Sequence, residues 1–230
     1  MSLQTINFYA KALPKNVIPV SYARGHRGSA VIRILSAHKE SYWNSEMCQH
    51  QMSDPFAFSD PDTDSLTSLA REDYDKVDTV AYMPHFRAVE DAQFLREFGF
   101  IKRLSEKAQD RWLFVQTHLA DYSWPFSYVF VYNSDTKDVV ERAEMEHKRD
   151  SGYKDKFQPI SPSLISMHQL NQSACCIDVK FLLSIDYNVF SQSYFQMCEQ
   201  LSLTPMVERC FEFVRLYTKR KNAIKHLYLK

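Results

Sequence analysis

Five short apolar runs, separated by longer segments of helical character, constrain the fold of this chain more than any other feature. The runs span Val17–Tyr22, Val77–Met83, Trp112–His118, Tyr128–Asn133 and Ile177–Asp186. They lack strict polar alternation, which is typical of strands buried on both faces of a sheet. Helical patterns cover Ser29–Lys39, Ala88–Ala108, Asp138–Arg149 and Ser191–Leu203, and Thr204-Pro205 indicates the start of a last helix. Alternating strands and helices predict a single three-layer α/β domain over residues 1–230, with a mostly parallel sheet.

Charge and residue usage disfavour several classes of protein. The chain carries 28 basic and 28 acidic side chains, so we expect no role in coating nucleic acid. No apolar run approaches the roughly 18 residues of a membrane span, and residues 1–16 lack the apolar centre of a signal peptide. The five cysteines show no CxxC spacing, which indicates free thiols in a reducing compartment. We therefore expect a soluble, cytoplasmic protein without membrane contact, of undetermined oligomeric state.

The turn after the first predicted strand is the strongest candidate for a binding site. It reads Gly25-His26-Arg27-Gly28-Ser29 and holds two of the four glycines of the chain. Glycine permits positive φ and close approach of a ligand, and the N-terminus of the following helix offers unpaired N–H groups. Ser29 adds a hydroxyl donor, and Arg27 or His26 adds a cation. The alternative is a tight connection without a ligand; a Walker sequence with its lysine is absent, which disfavours an ordinary ATPase or kinase.

This segment resembles the first phosphosulfate-binding loop of the P-loop sulfotransferases. Gly28-Ser29 matches the Gly-Thr pair of that loop, and residues 32–38 are similar to the helix that follows it. The resemblance implies a P-loop-like turn in which Gly25, Arg27, Gly28, Ser29 and Ala30 surround the phosphosulfate of PAPS (3′-phosphoadenosine 5′-phosphosulfate). His26 stands at the position of the family's catalytic lysine or arginine, and a shift of one residue would give that role to Arg27.

A histidine ends the third predicted strand, in the sequence Gln116-Thr117-His118-Leu119. Ligands of parallel sheets bind at the carboxyl ends of strands, and histidine transfers protons near neutral pH. A surface or structural histidine is the alternative interpretation. The segment resembles the Lys-Thr-His-Leu element of cytosolic sulfotransferases, which implies that His118 is the catalytic base, with Gln116 in place of the lysine. His85 also ends a predicted strand and is the competing base.

The fourth predicted strand leads into another turn and helix, from Tyr128 to Arg142. A plain strand-to-helix unit is the alternative here. The segment resembles the 3′-phosphate element of the same family, best at Lys137-Asp138-Val139. Ser134 stands at the family's arginine position and Arg142 at its serine position, so the resemblance implies Ser134, Lys137 and Arg142 as contacts of the 3′-phosphate.

The three segments together predict a PAPS-dependent sulfotransferase. It would transfer a sulfuryl group to a hydroxyl or amine of a small-molecule or carbohydrate acceptor. The resemblance implies no metal, and the histidines lack metal-ligand spacing such as HExxH. Two alternatives stay open: another P-loop transferase that uses a nucleotide or phosphate, kinase-like in its chemistry, and a catalytically degenerate relative that binds an anion or a partner.

Overall fold

The computed structural model describes residues 11–44, 54–56, 85–86, 91–149 and 159–228. Within them, five strands form one sheet in which every pairing is parallel. The strands are β1 (Val17–Tyr22), β2 (His85–Phe86), β3 (Leu113–Thr117), β4 (Tyr128–Tyr132) and β5 (Ala174–Asp178), and they lie in the order β2-β3-β1-β4-β5. The mostly parallel sheet expected from the sequence is therefore confirmed.

Helices connect the strands and flank the sheet. They are α1 (Gly28–Ser36), α2 (Asp91–Ala108), α3 (Thr136–Arg149), α4 (Pro162–Gln169), α5 (Val179–Leu182), α6 (Tyr187–Gln200) and α7 (Val207–Tyr228). Three of these helices begin beside the carboxyl end of a strand: α1 after β1, α3 after β4 and α5 directly after β5. The α/β architecture follows from this alternation.

Two apolar cores lie on opposite faces of the sheet. Along β1, Ile18 and Val20 pack with α1, α6 and α7, whereas Val17 belongs to the second core, with α2 and the segment around Trp124. Both faces of the central strands are therefore removed from water, which explains why their sequences show no polar alternation. Burying each large apolar side chain contributes about 1.5–3 kcal/mol of transfer free energy.

Several sequence-based boundaries are wrong, most clearly those of the fifth strand and the last helix. The run Ile177–Asp186 is a strand candidate open to interruption in the sequence, whereas β5 begins at Ala174 and ends at Asp178. The Asp178 carboxylate accepts the N–H of Lys180 at 3.0 Å and starts α5. Thr204-Pro205 was expected to open the last helix, but α7 begins at Val207. The N–H of Cys210 bonds to the carbonyl of Met206 at 3.0 Å, so Met206 is the residue that precedes the helix.

Other expectations fall partly outside the described residues. The predicted strand at Val77–Met83 lies outside them, as do residues 88–90 of the helix expected at Ala88–Ala108. Four cysteines that the structure describes are free thiols: Cys175, Cys176, Cys198 and Cys210. Burial raises the pKa of Cys175 to about 12. Over the described part of the chain, no helix has both the length and the apolar character that a membrane span requires.

Candidate functional site

The three segments singled out in the sequence meet at one edge of the sheet. β1 lies between β3 and β4, so the turn after β1, His118 after β3 and the turn after β4 are neighbours. The chain leaves β1 toward the β2 side of the sheet and leaves β4 toward β5 on the other side. Open parallel sheets bind ligands at such a reversal of direction, outside the carboxyl ends of the strands.

The turn after β1 has two residues with positive φ. Gly25 has φ 88°, and the predicted use of glycine for this conformation is confirmed there. Arg27 precedes α1 with φ 57° and ψ 25°, and its side chain makes no capping bond to the helix. Its carbonyl accepts the N–H of Ala30 at 3.0 Å, so the amide of one residue expected to surround the phosphosulfate has an internal acceptor. Ala30 itself is buried in the core.

The ring of Tyr22 covers the other side of the turn. A Cβ placed on Gly28 would lie 2.1 Å from that ring, so only glycine fits at this position without rearrangement. The Tyr22 hydroxyl lies 3.3 Å from Oγ of the half-buried Ser29. The structure thus shows a strand, a tight turn and a helix here, and it does not show a P-loop turn.

The side chain of Arg27 is held by an ion pair. Its Nε and Nη2 each donate to the carboxylate of Asp138 at 3.3 Å, and its Nη1 donates to the Tyr217 hydroxyl at 3.0 Å. Lys221 also pairs with Asp138. Burial by itself raises the pKa of Asp138, but the charges of Arg27 and Lys221 outweigh it and hold that pKa well below its usual value.

A small pocket opens beside this ion pair. Its volume is about 140 Å³, well under the roughly 300–1,000 Å³ of pockets for drug-sized ligands, so it has room for one phosphate- or sulfate-sized group. Three cationic and two anionic side chains line it, which leaves an excess of one positive charge. The lining residues are Arg27, Asn133, Asp135, Asp138, Val179, Lys180, Leu183, Tyr217, Thr218 and Lys221.

His118 is half-buried at the end of β3, and its two ring nitrogens have different partners. Nδ1 lies 3.3 Å from the carbonyl oxygen of Tyr22, which can only accept, so Nδ1 carries the proton. Nε2 lies 3.2 Å from the amide nitrogen of Gln116, which donates to it. Nε2 is therefore the basic nitrogen of this ring. The competing base, His85, pairs with Gln116 across the β2–β3 register, and its side chain lies outside the described residues.

His26 points into the protein rather than into the pocket. It is fully buried, and its Nδ1 accepts the backbone N–H of Asn133 at 2.9 Å. This bond joins the turn after β1 to the end of β4.

The predicted 3′-phosphate contacts are spread along the turn after β4. Ser134 is exposed and donates its N–H to Asp178 at 3.1 Å, and Lys137 is exposed. Arg142 is half-buried in α3. None of these three residues lines the described pocket, whereas Asp138, next to Lys137, does.

Several pocket residues were missed in the sequence. Asn133 and Asp138 belong to the strand-turn-helix segment that resembles the family, but no rule of spacing predicts that Asp138 turns toward Arg27. Tyr217 and Lys221 lie in a basic stretch at the end of the chain, for which a solvated face is the ordinary interpretation. Lys180 follows β5, so a parallel sheet predicts its position at the carboxyl edge.

Comparison with known protein families, curated proteins and solved structures finds no match to this chain. Among the described residues, no group of three or more His, Cys, Asp or Glu is arranged to hold a metal ion. The fold and the site define an α/β protein with a small cationic pocket at the carboxyl edge of its sheet.

Proposed function

We propose that this chain is a sulfotransferase-like protein that uses PAPS as its co-substrate and acts on a hydroxyl or amine of a small-molecule or carbohydrate acceptor. One observation carries the proposal: the three segments that resemble the sulfotransferase family follow three adjacent parallel strands and lie at one edge. Contacts between them support it, since His26 bonds to Asn133, and Tyr22 bonds to His118.

The residues of the pocket fit a phosphate group. Arg27, Lys180 and Lys221 supply positive charge, and the Tyr217 hydroxyl and Asn133 amide supply neutral donors. A guanidinium and an ammonium that contact the same two ligand oxygens favour a doubly charged phosphate over a neutral ligand. The pocket is too small for a whole nucleotide, so the adenosine of PAPS would lie beyond its rim.

His118 would act as the base. The acceptor oxygen or nitrogen would bond to the sulfur of PAPS while the bond from that sulfur to the bridging oxygen breaks. 3′-Phosphoadenosine 5′-phosphate would leave, and the acceptor would lose a proton. Nε2 of His118 would take that proton because its lone pair is available once Gln116 turns its amide. The same Gln116 can then present its carbonyl oxygen to the protonated ring, which stabilises the imidazolium.

A second function is favoured by the geometry of the turn: a catalytically degenerate relative that binds an anion or a partner without transfer. Its basis is that Tyr22 covers Gly28 and that Asp138 already neutralises Arg27. In this alternative the pocket binds a phosphate group, and His118 supports the structure only.

Calorimetry and a transfer assay separate these functions. We expect 3′-phosphoadenosine 5′-phosphate to bind at micromolar concentration, with much weaker binding after Lys221→Gln and unchanged binding after Lys225→Gln, which alters a neighbouring lysine outside the pocket. We expect His118→Ala to abolish the release of 3′-phosphoadenosine 5′-phosphate from PAPS in the presence of hydroxyl acceptors. The affinity of this variant for 3′-phosphoadenosine 5′-phosphate should stay within about threefold of that of the unaltered chain.

Each contrary result has a definite meaning. Binding without turnover in the unaltered chain supports the degenerate relative. Absence of heat at high micromolar nucleotide overturns the proposal. Tighter binding of ATP with Mg²⁺ than of the phosphoadenosine nucleotide assigns the site to a kinase-like transferase instead.

A further inference from the structure

The carboxylate of Asp138 receives four hydrogen-bond donors. Arg27 donates through Nε and Nη2, each at 3.3 Å, and the Asn133 amide donates at 2.9 Å. The fourth donor is the ammonium of Lys221. Two cations and a neutral amide around one anion are the arrangement with which proteins bind phosphate or sulfate. At this pocket the chain supplies the anion itself.

We propose that Asp138 is a built-in counterion that occupies the anion position of the pocket and is displaced when a phosphate group binds. That the displacing group belongs to a nucleotide rests on the proposed function. The displacement of Asp138 itself does not, because any phosphate group could replace the carboxylate. Asp138 then sets the affinity of the pocket for anions. It lowers the affinity for singly charged anions, and a group with more than one negative charge displaces it.

The surroundings of Asp138 allow such an exchange. Its side chain is 15% exposed, compared with 3% for Arg27, so the carboxylate lies at the open side of the pair. Asp138 lies in the first turn of α3. In the proposed exchange, rotation about its side-chain bonds would turn the carboxylate toward solvent. Arg27 stays anchored in the meantime, because the Tyr217 hydroxyl accepts from its Nη1 at 3.0 Å.

A second ion pair provides a matched control. Glu141 and Lys225 join the same two helices, α3 and α7, one turn farther along each. Neither residue lines the pocket. Removing the Glu141 charge therefore removes an α3–α7 ion pair and leaves the pocket unaltered. Removing the Asp138 charge removes an α3–α7 ion pair and also alters the pocket.

The experiment compares Asp138→Asn with Glu141→Gln in the full chain, using inorganic pyrophosphate and 3′-phosphoadenosine 5′-phosphate as probes in calorimetry at constant ionic strength. We expect Asp138→Asn to bind both probes on the order of tenfold more tightly than the unaltered chain, and Glu141→Gln to bind them equally. Thermal denaturation with and without pyrophosphate gives a second measurement, in which the anion raises the midpoint of Asp138→Asn more than that of the unaltered chain.

The possible results separate this inference from the proposed function. Unchanged or weaker binding of both probes by Asp138→Asn overturns the counterion, even where the unaltered chain binds the nucleotide. Tighter pyrophosphate binding without nucleotide binding supports the counterion and overturns the proposed function. An Asp138→Asn chain that stays unfolded at saturating pyrophosphate shows that Asp138 is structural, which also overturns the inference.

Discussion

The aromatic ring of Tyr22 lies against Gly28, at a distance that leaves no room for a side chain. A Cβ at Gly28 would lie 2.1–2.3 Å from three ring atoms of Tyr22. Tyr22 ends β1 and Gly28 begins α1, so this contact sets how closely the turn folds back on its own strand. The sequence predicts that the glycines of this turn permit close approach of a ligand, whereas at Gly28 the structure places the ring of Tyr22 against the backbone.

Gly28→Ala should destabilise the protein by about 1–3 kcal/mol, because a methyl group forced into a filled space displaces the ring or the helix. Gly99→Ala is the matched control, since Gly99 is exposed in α2 and a Cβ there meets nothing within 4 Å. That change should stabilise by roughly 0.5–1 kcal/mol through helix propensity. Urea denaturation at neutral pH measures both, and equal effects of the two changes would contradict the contact.

His26→Ala should also destabilise the chain, by about 1–3 kcal/mol, because the buried N–H of Asn133 loses its acceptor. His26→Asn offers a side-chain oxygen in its place and should recover part of the loss. The measurement is the free energy of unfolding from chemical denaturation. If His26→Ala leaves stability intact and abolishes nucleotide binding instead, His26 belongs to the ligand site and not to the link between β1 and β4.

Arg27→Met should cost about 1–3 kcal/mol at pH 7, because Asp138 loses both hydrogen bonds from the guanidinium but keeps those from Lys221 and Asn133. Arg209→Met removes the exposed pair with Asp54, whose side chains are each 47% accessible, and should cost less than about 1 kcal/mol.

The cost of Arg27→Met should depend on pH. The pKa of Asp138 in the folded protein lies below the ordinary value of 3.8, so its ion pair contributes fully above about pH 4 and is lost as pH falls toward the folded pKa. The difference between the unaltered chain and Arg27→Met should therefore narrow below pH 4 in urea titrations. A difference that stays constant down to pH 2.5 would assign the cost to packing of the arginine rather than to its charge.

The three central strands, β3, β1 and β4, were predictable because their signal is local. Val17–Tyr22 and Tyr128–Tyr132 are apolar on both faces, and the two cores of the protein explain that pattern directly. The end of β5 was not predictable from apolar content, because the side chain of Asp178 stops the strand by capping α5. A residue that caps a helix can end a strand within an apolar run, even where the apolar residues continue.

The site was predictable only in part, for a reason of distance along the chain. Gly25 and the position of His118 follow from the order of strands and turns. The pairing of Asp138 with Lys221 joins residues 83 apart, and that with Arg27 joins residues 111 apart. Spacing rules describe neighbours within a helix or strand and carry no information on such contacts. They also give no reason to expect a carboxylate between Arg27 and Lys221.

His168 should make stability depend on pH near neutrality. It is fully buried, its Nε2 donates to the carbonyl of Ala120 at 2.8 Å, and its Nδ1 accepts from the Tyr128 hydroxyl at 2.6 Å. Burial lowers the pKa of His168 below 6.5, although its backbone bond and the charge of Asp121 oppose this. Near pH 6 His168 is therefore protonated in the unfolded chain and neutral in the folded chain. The free energy of unfolding should keep its full value above about pH 6.5 and decrease as the pH falls below it.

The expected slope is at most about 1.4 kcal/mol per pH unit for each such histidine, and buried His38, whose pKa burial also lowers, contributes in the same direction. His168→Gln should lower stability at pH 7.5 by about 1–3 kcal/mol and reduce the fall between pH 6.5 and 5. His38→Gln should reduce the same fall independently, because the two residues lie on opposite faces of the sheet. Free energies of unfolding at five pH values test both. If the slope of His168→Gln equals that of the unaltered chain, while NMR shows the imidazole of His168 titrating near 6.5, its side chain is not desolvated in solution and the close contact with Tyr128 does not persist there.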